Sequence, residues 1–524
     1  MDSSGAILWQ PPAERVAACE LTNFARFVQH AAGRPVPDAP EQAYRRLHAW
    51  SVRERAAFWN ALWDYAGVIG ERGAHVLSDG ERMPGARWFA DARLNFAENL
   101  LAGDGACIAL IGRDESGTRR VLTRAALSQA VRAAAAGFAA AGIGAGDTVA
   151  GFLGNTPEAV VAMLAAAYLG AVWTATPPEF GASAVIERFV QTGAKLLVAA
   201  GSYRYGGRHF DCSDKLAQIL RGMPGLQALV LVATEEVPAG APAHTRQWSE
   251  LLAADIAPPP RRFPFDTPLF VLYSSGTTGR PKAIVHGAGG TLLQHRKEHL
   301  LHADIRPGER VFYYTTTGWM MWNWLVSALA SRAVVVLYDG SPTFPDSEAL
   351  WRLAAEERLG TFGTSPRFLA AMEKAGVRPR DRHDLGALRT ILSTGAPLAA
   401  GQFDYVYEAV APDVHLASIS GGTDIISCFC LGVPWLPVRR GEIQGAGLGM
   451  ATEVWNDPGP AAPGERGELV CTAPFPSMPL GFLGDTGGER YAGTYFNRFR
   501  GIWHHGDYAM RTDSGGFVIL GRSD

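Results

Sequence analysis

"YSSGTTGRPK", Tyr273 to Lys282, follows directly on the apolar run "PLFVL". It sets the hydroxyls of Ser274, Ser275, Thr277 and Thr278 around Gly276 and Gly279, ahead of a proline and a lysine. Side chains of this kind pack almost nothing. The glycines let the backbone bend tightly and bring its N–H groups up to a ligand. The hydroxyls add donors, and Lys282 adds a compact cation suited to phosphate. The stretch fits a loop that leaves a strand and wraps a polyphosphate. It is not a Walker loop, because "GTTGRPK" lacks the four-residue gap between glycines and the closing Gly-Lys-Ser/Thr. A solvated surface turn is the alternative that any Gly/Ser/Thr cluster carries.

The lysine stands out against its background, since only five lysines occur among the 48 basic residues. A net charge of -3 offers no basic excess for a nucleic-acid backbone. Hydrophobic content of 47% and charged content of 19% are ordinary for a soluble globular chain, and 524 residues suggest about three or four domain-sized units. Cys19, Cys107, Cys212, Cys428, Cys430 and Cys471 are scattered without metal-ligand spacing and read as buried thiols in a reducing compartment. The start, "MDSSGAILWQPPAERV", has no basic n-region or apolar core of a signal peptide. The apolar run "AVVAMLAAAYLGAVW" at 159–173 is too short for a membrane span and reads as a buried helix turning at Gly170 into a strand. A cytosolic location is expected.

Around this loop the chain divides by pattern. Residues 1–95 show helical apolar spacing in "YRRLHAW" and "ERAAFWNALWDYAGVI", as a helical extension. Residues 96–265 alternate short strands ("CIALIG", "DTVAGFLG", "AKLLVAA", "ALVLVA") with helices closed by glycine ("RAALSQAVRAAAAGFAAAG", "TPEAVVAMLAAAYLG"). After the Pro-rich break "IAPPPRRFPFDTP", a second α/β unit is predicted over 266–425, with the loop inside it. From 426 to 521 the helices stop and short strands with Gly/Pro turns predict a β-rich unit. The predicted fold class is α/β, two subdomains with mostly parallel sheets plus a small β-rich subdomain.

The loop also resembles the signature of the adenylate-forming superfamily, which includes acyl-CoA synthetases, luciferases and peptide-synthetase adenylation domains. Further segments follow in that family's order: "STGAPL" (Ser393–Leu398), "SGGTDI" (Ser420–Ile425), "GERGELV", "WHHGDYA" and "LGRSD". The resemblance implies that Ser274–Gly279 and Lys282 meet the phosphates and that Gly395, Ala396 and Pro397 lie along adenine. It implies Thr423 near the α-phosphate, Asp424 on Mg²⁺, Asp507 and Arg522 on the ribose, and a hinge over 522–524 that includes Asp524. Lys282, Thr423 and Asp424 are the catalytic candidates. Asp424 stands where the family usually has Glu, one methylene longer. Apart from the resemblance, Asp507 would read as a turn residue and Asp424 as a helix N-cap.

The helical start with "RWFADARLNFAENLL" is similar to acetyl-CoA synthetases and their close relatives. That implies an AMP-forming acid–thiol ligase using ATP, Mg²⁺ and CoA, with small-molecule substrates. In "TTTGWMMWNW", Trp319, Met320 and Met321 are the implied acyl wall, although on spacing alone such a stripe is more often plain core. Acetyl-CoA synthetases carry a tryptophan where Gly421 stands. With Gly422, the missing indole would open the pocket to a longer acid, and acetoacetate is the implied substrate, with propionate, butyrate or hydroxybutyrate as alternatives. A non-catalytic nucleotide-binding remnant is a further alternative. His286 matches a family histidine near the acyl pocket, or is a core donor. Arg208 in "YGGR" is the CoA candidate, or a solvated arginine. In this family a small lid domain supplying a lysine follows the hinge, so a chain ending at Asp524 is expected to lack it and to turn over slowly.

Overall fold

The computed structural model describes residues 5–32, 39–253, 256–274, 281–457 and 459–523. The apolar run ahead of the opening stretch is a strand, Pro268–Ser274, paired antiparallel with Lys282–Gly287 so that Ser274 faces Lys282. Ser275, Gly276, Thr277, Thr278 and Gly279 lie outside the described residues, as does Asp524. The two strands belong to an eight-stranded sheet, where Pro268–Ser274 is the sixth of six parallel strands after His244–Gln247, Ala228–Val232, Leu196–Ala200, Thr148–Phe152 and Val172–Thr176. Lys282–Gly287 and Gly481–Phe482 close the sheet antiparallel.

A seven-stranded sheet repeats the plan. Its six parallel strands run His415–Ser418, Thr390–Ser393, Thr361–Thr364, Arg310–Tyr313, Val334–Asp339 and Ile108–Asp114, with Arg119–Thr123 antiparallel at the edge. Every residue of the helix Pro157–Tyr168 except Glu158 is buried, and the helix packs against strands of both sheets. An apolar helix without a polar face needs such a place. Gly170, at φ +73°, ends it and leads into Val172–Thr176, the predicted helix-to-strand turn. Among the described residues no helix is long and apolar enough to cross a membrane.

Sheet membership departs from the boundary drawn at 265. The strands Ile108–Asp114 and Arg119–Thr123, expected in the first α/β unit, belong to the second sheet, and the strands Pro268–Ser274 and Lys282–Gly287, expected in the second, belong to the first. The physical reason is that parallel neighbours are chosen by burial on two faces rather than by a local turn, so order along the chain does not set order in the sheet. The expectation that helices stop after 426 is also corrected. Five antiparallel strands between Thr452 and Arg522 form the β-rich sheet, but a helix, Glu489–Tyr495, lies among them. Cys107 is exposed, against the expectation of six buried thiols, and the other five are buried.

The N-terminal helices Pro40–Arg53 and Arg55–Tyr65 bury Tyr44, Leu47, Trp50, Phe58, Trp59 and Trp63 in the same core as the helix between the sheets. The extension is thus part of the main body.

Candidate active site

Two hairpins, one turn and the start of one helix converge on a cavity of about 440 Å³. Its wall includes Gly395, Ala396 and Pro397, which follow the parallel strand Thr390–Ser393, the ordinary place for a ligand site in an open parallel sheet. Gly395 sits at φ +98°, a backbone state that favours glycine. Ser420, Gly421, Gly422 and Thr423 form a second wall, and Trp319, Met320 and Met321 a third. Asp507 and Arg522 come from neighbouring strands, Trp503–Arg511 and Phe517–Arg522. They are register partners, and the Arg522 guanidinium lies 3.3 Å from Asp507 Oδ1. A nucleoside with a carboxylate partner for its hydroxyls and an apolar acid would both find matching surfaces here.

Beside Thr423, the Asp424 carboxylate accepts a hydrogen bond from the Tyr495 hydroxyl and lies 3.4 Å from Lys282 Nζ. The strand register that sets Lys282 against Ser274 thus brings the cation to Asp424, 142 residues away. Burial works against ionisation of Asp424, but the His505 imidazole, Lys282 and the Tyr495 hydroxyl outweigh it and hold the carboxyl below the usual range. Tyr495 is fixed by stacking on Trp503, centroids 3.8 Å apart and planes 15° off parallel. The indole N–H of Trp503 donates to His505 Nδ1 at 3.4 Å, which leaves Nε2 to face the carbonyl of Gly421 at 3.3 Å and Asp507 Oδ2 at 3.7 Å. Neither Tyr495 nor His505 was singled out from the sequence. Tyr495 stands in "ERYAGTY", where a glycine hides the helix, and His505 sits two residues from Asp507 inside a matched motif.

Among the described residues no group of three or more His, Cys, Asp or Glu is placed to hold a metal. Asp424 is a single half-buried carboxylate with one oxygen engaged. That donor set fits Mg²⁺ carried on a polyphosphate, since Mg²⁺ keeps waters and substrate oxygens and takes only one or two carboxylates from protein.

Gly421 and Gly422 line the cavity as expected but not for the expected reason, and His286 and Arg208 lie outside its lining. A Cβ on Gly421 would lie 2.1 Å from the Ser427 carbonyl oxygen and 2.6 Å from Cys428 Cα. Glycine is therefore required by the close approach of the strand Ser427–Leu431, and the pocket is not opened by a side chain missing at this position. A Cβ on Gly422 would meet the His505 ring at 2.9 Å. His286 is 1% exposed and outside the cavity lining, with no hydrogen-bond partner on either ring nitrogen among the described residues. Burial pushes its pKa down to about 3, so the ring stays neutral. Arg208 lies on an exposed hairpin, Ser202–Tyr205 with Arg208–Asp211, and does not line the cavity. Ser274 is the last residue of its strand, and its hydroxyl is buried without a partner among the described residues.

Residues 102–479 match the family described as AMP-binding enzyme, and residues 44–100 match the acetyl-coenzyme A synthetase N-terminus. An acetoacetyl-coenzyme A synthetase of Rhizobium meliloti (strain 1021) is 48% identical over 99% of this chain and 79% of its own length. A malonamoyl-CoA synthetase of Penicillium aethiopicum is 40% identical over 99% of this chain and 74% of its own. The solved structure of an acetoacetyl-CoA synthetase from Streptomyces lividans superposes with a TM-score of 0.93 at 44% identity, covering 99% of this chain and 80% of that one. The chain belongs to the AMP-binding enzyme family, in the branch that holds the acetoacetyl-CoA synthetases.

Proposed function

We propose that the chain is an AMP-forming acid–CoA ligase acting on acetoacetate. One observation carries the reading. A single cavity brings the Gly395–Pro397 turn, Thr423, Asp507 and Arg522 together with the apolar surface of Trp319, Met320 and Met321.

A carboxylate is a poor acyl donor because oxide would have to leave. In the proposed first step a carboxylate oxygen of the acid forms a bond to the α-phosphorus of ATP, and the bond to the β-phosphate oxygen breaks, releasing diphosphate. In the second, the CoA thiol gives up its proton, sulfur bonds to the acyl carbon, and the C–O bond to AMP breaks. No nucleophile from the protein is needed, so its work is orientation and charge stabilisation. Asp507 and Arg522 hold the ribose, and Gly395, Ala396 and Pro397 flank the adenine. Thr423 donates to the α-phosphate, Lys282 offsets charge on the triphosphate, and Ser274–Gly279 supply further donors. Mg²⁺ bound with ATP would be held by Asp424 and would neutralise phosphate charge. Lys282 in turn keeps Asp424 ionised when nucleotide is absent. Arg208 is a candidate for the CoA nucleotide on its exposed hairpin.

A second acid is favoured by one relative, whose name gives malonamoyl-CoA as product. Malonamate and acetoacetate differ only in an amino group for a methyl group, and both carry a carbonyl β to the carboxylate. We infer that the pocket selects this shared ketone-like oxygen, while the chain end is tolerated. Acid-dependent exchange of labelled diphosphate into ATP tests the reading across acetoacetate, malonamate, butyrate, propionate and acetate. Acetoacetate and malonamate should lead by about tenfold, the scale of one hydrogen bond gained or lost in a closed site. Equal rates for butyrate and acetoacetate would sink the selectivity, and nucleotide binding without any acid-dependent exchange would sink the ligase.

A further inference from the structure

Behind the cavity runs a helix unlike a core helix in sequence. Residues 294–302, "QHRKEHLLH", carry seven polar side chains, yet all nine are buried. The segment ends in a π-helical turn, Glu298–His302, a local irregularity that often marks function. Glu298 is 1% exposed and takes no part in the steps described above.

Its carboxylate is held from two directions. Oε1 accepts the backbone N–H of Cys428 at 3.1 Å and the hydroxyl of Ser427. Oε2 accepts the indole N–H of Trp324 at 2.8 Å and lies 3.7 Å from the Cys428 thiol. Gln294 donates to Ser427 Oγ at 2.8 Å, which leaves the serine proton to point at Glu298. His299 packs edge-on against Trp324 with centroids 4.3 Å apart. Lys297 supplies the counter-charge, its Nζ 3.7 Å from Oε1. Ser427 and Cys428 line the cavity, and Trp324 shares the helix Met320–Ser327 with the cavity residues Met320 and Met321. Two walls of one pocket therefore end on the same buried anion. A buried carboxylate is stable only when paired and hydrogen-bonded, so its donors are fixed as firmly as it is.

We infer that Glu298 is a positioning residue that sets the width of the acyl end of the cavity, tying the Ser427–Cys428 strand to the Met320–Ser327 helix, and so determines which acids fit. The inference rests on the reading of this cavity as an acyl-adenylate site. Neither pocket wall carries a charge of its own at this end, so selectivity for a small polar acid depends on how far apart the walls stand. Glu298→Gln keeps the shape but turns one acceptor into a donor that faces another donor. Ser427→Ala removes one of the bonds from the opposite side.

The test is calorimetric titration of the full chain with AMP and with the propyl and butyl esters of AMP, which mimic the acyl-adenylate without turnover. In Glu298→Gln the affinity for AMP should stay within about twofold, while the advantage of ester over AMP should fall about tenfold. Ser427→Ala should move the ratio in the same sense and decides the matter if Glu298→Gln does not fold. A general loss of structure would weaken AMP and esters together. An unchanged ester-to-AMP ratio in a folded variant overturns the role of Glu298 alone. Failure of the unaltered chain to bind AMP or its esters overturns the reading of the cavity, and this inference with it.

Discussion

Asp424 keeps its charge in a half-buried place because of its neighbours, and Tyr495 is the one that can be removed with least disturbance. Tyr495→Phe deletes the hydroxyl on Asp424 and keeps the ring stacked on Trp503. With its pKa held low, Asp424 stays ionised as pH falls, and its stabilising contacts are lost only below its folded value. Without the hydroxyl that loss begins at higher pH. The acid limb of Mg·ATP binding should therefore move upward in Tyr495→Phe, and an unmoved limb would contradict the role given to Asp424. Asp507→Asn should weaken AMP about tenfold, because an ionised acceptor for hydroxyls contributes more than a neutral one. Fluorescence titration of AMP measures it. Asp507 and Arg522 were reached in the sequence only through the resemblance carried by "WHHGDYA" and "LGRSD"; on local pattern alone Asp507 reads as a turn residue. Tyr495 was not reached, since nothing in "ERYAGTY" points to a carboxylate 71 residues earlier.

Elements were read well where their signals are local. The helix Arg124–Ala140 starts where the Thr123 side chain accepts the N–H of Ala126 and stops just before Gly142 at φ +87°, matching its glycine-closed pattern. Thr123→Ala should lower stability by about 1 kcal/mol in urea unfolding and leave AMP affinity alone. The helix after Lys282–Gly287 was illegible for the opposite reason. Its charged and imidazole groups argue for solvent, and only tertiary pairing through Glu298, Ser327 and Gln294 lets them be buried. Gly421 shows the same limit. A sequence records a missing side chain, but the space where it would go was filled by the neighbouring strand. Gly421→Ala should destabilise by about 2 kcal/mol, as overpacking does, and should not alter acid preference except through that loss. A change of preferred acid in a stable Gly421→Ala would restore the pocket-opening idea.

At the scale of the molecule, buried histidines set the acid limit. Burial pushes His286 and His415 down to about 3 and lowers His295, His299 and His302 as well. In the unfolded chain each would bind a proton near 6.5, so below that pH the unfolded state takes up more protons and stability falls. Each such ring adds a proton that only the unfolded chain takes up, so their losses act in the same direction as pH falls. Thermal midpoints should drop steeply between pH 6.5 and 5, and a flat profile there would contradict the neutral buried rings. The exchange of strand pairs between the two sheets has a consequence for any attempt to split the gene. A cut in the Pro-rich break near 256–268 would strand Ile108–Thr123 away from Val334–Asp339 and strip Val172–Thr176 of Pro268–Ser274. Each half would carry a bare parallel edge and an orphaned hairpin, so the pieces should precipitate when made singly and recover only when synthesised together.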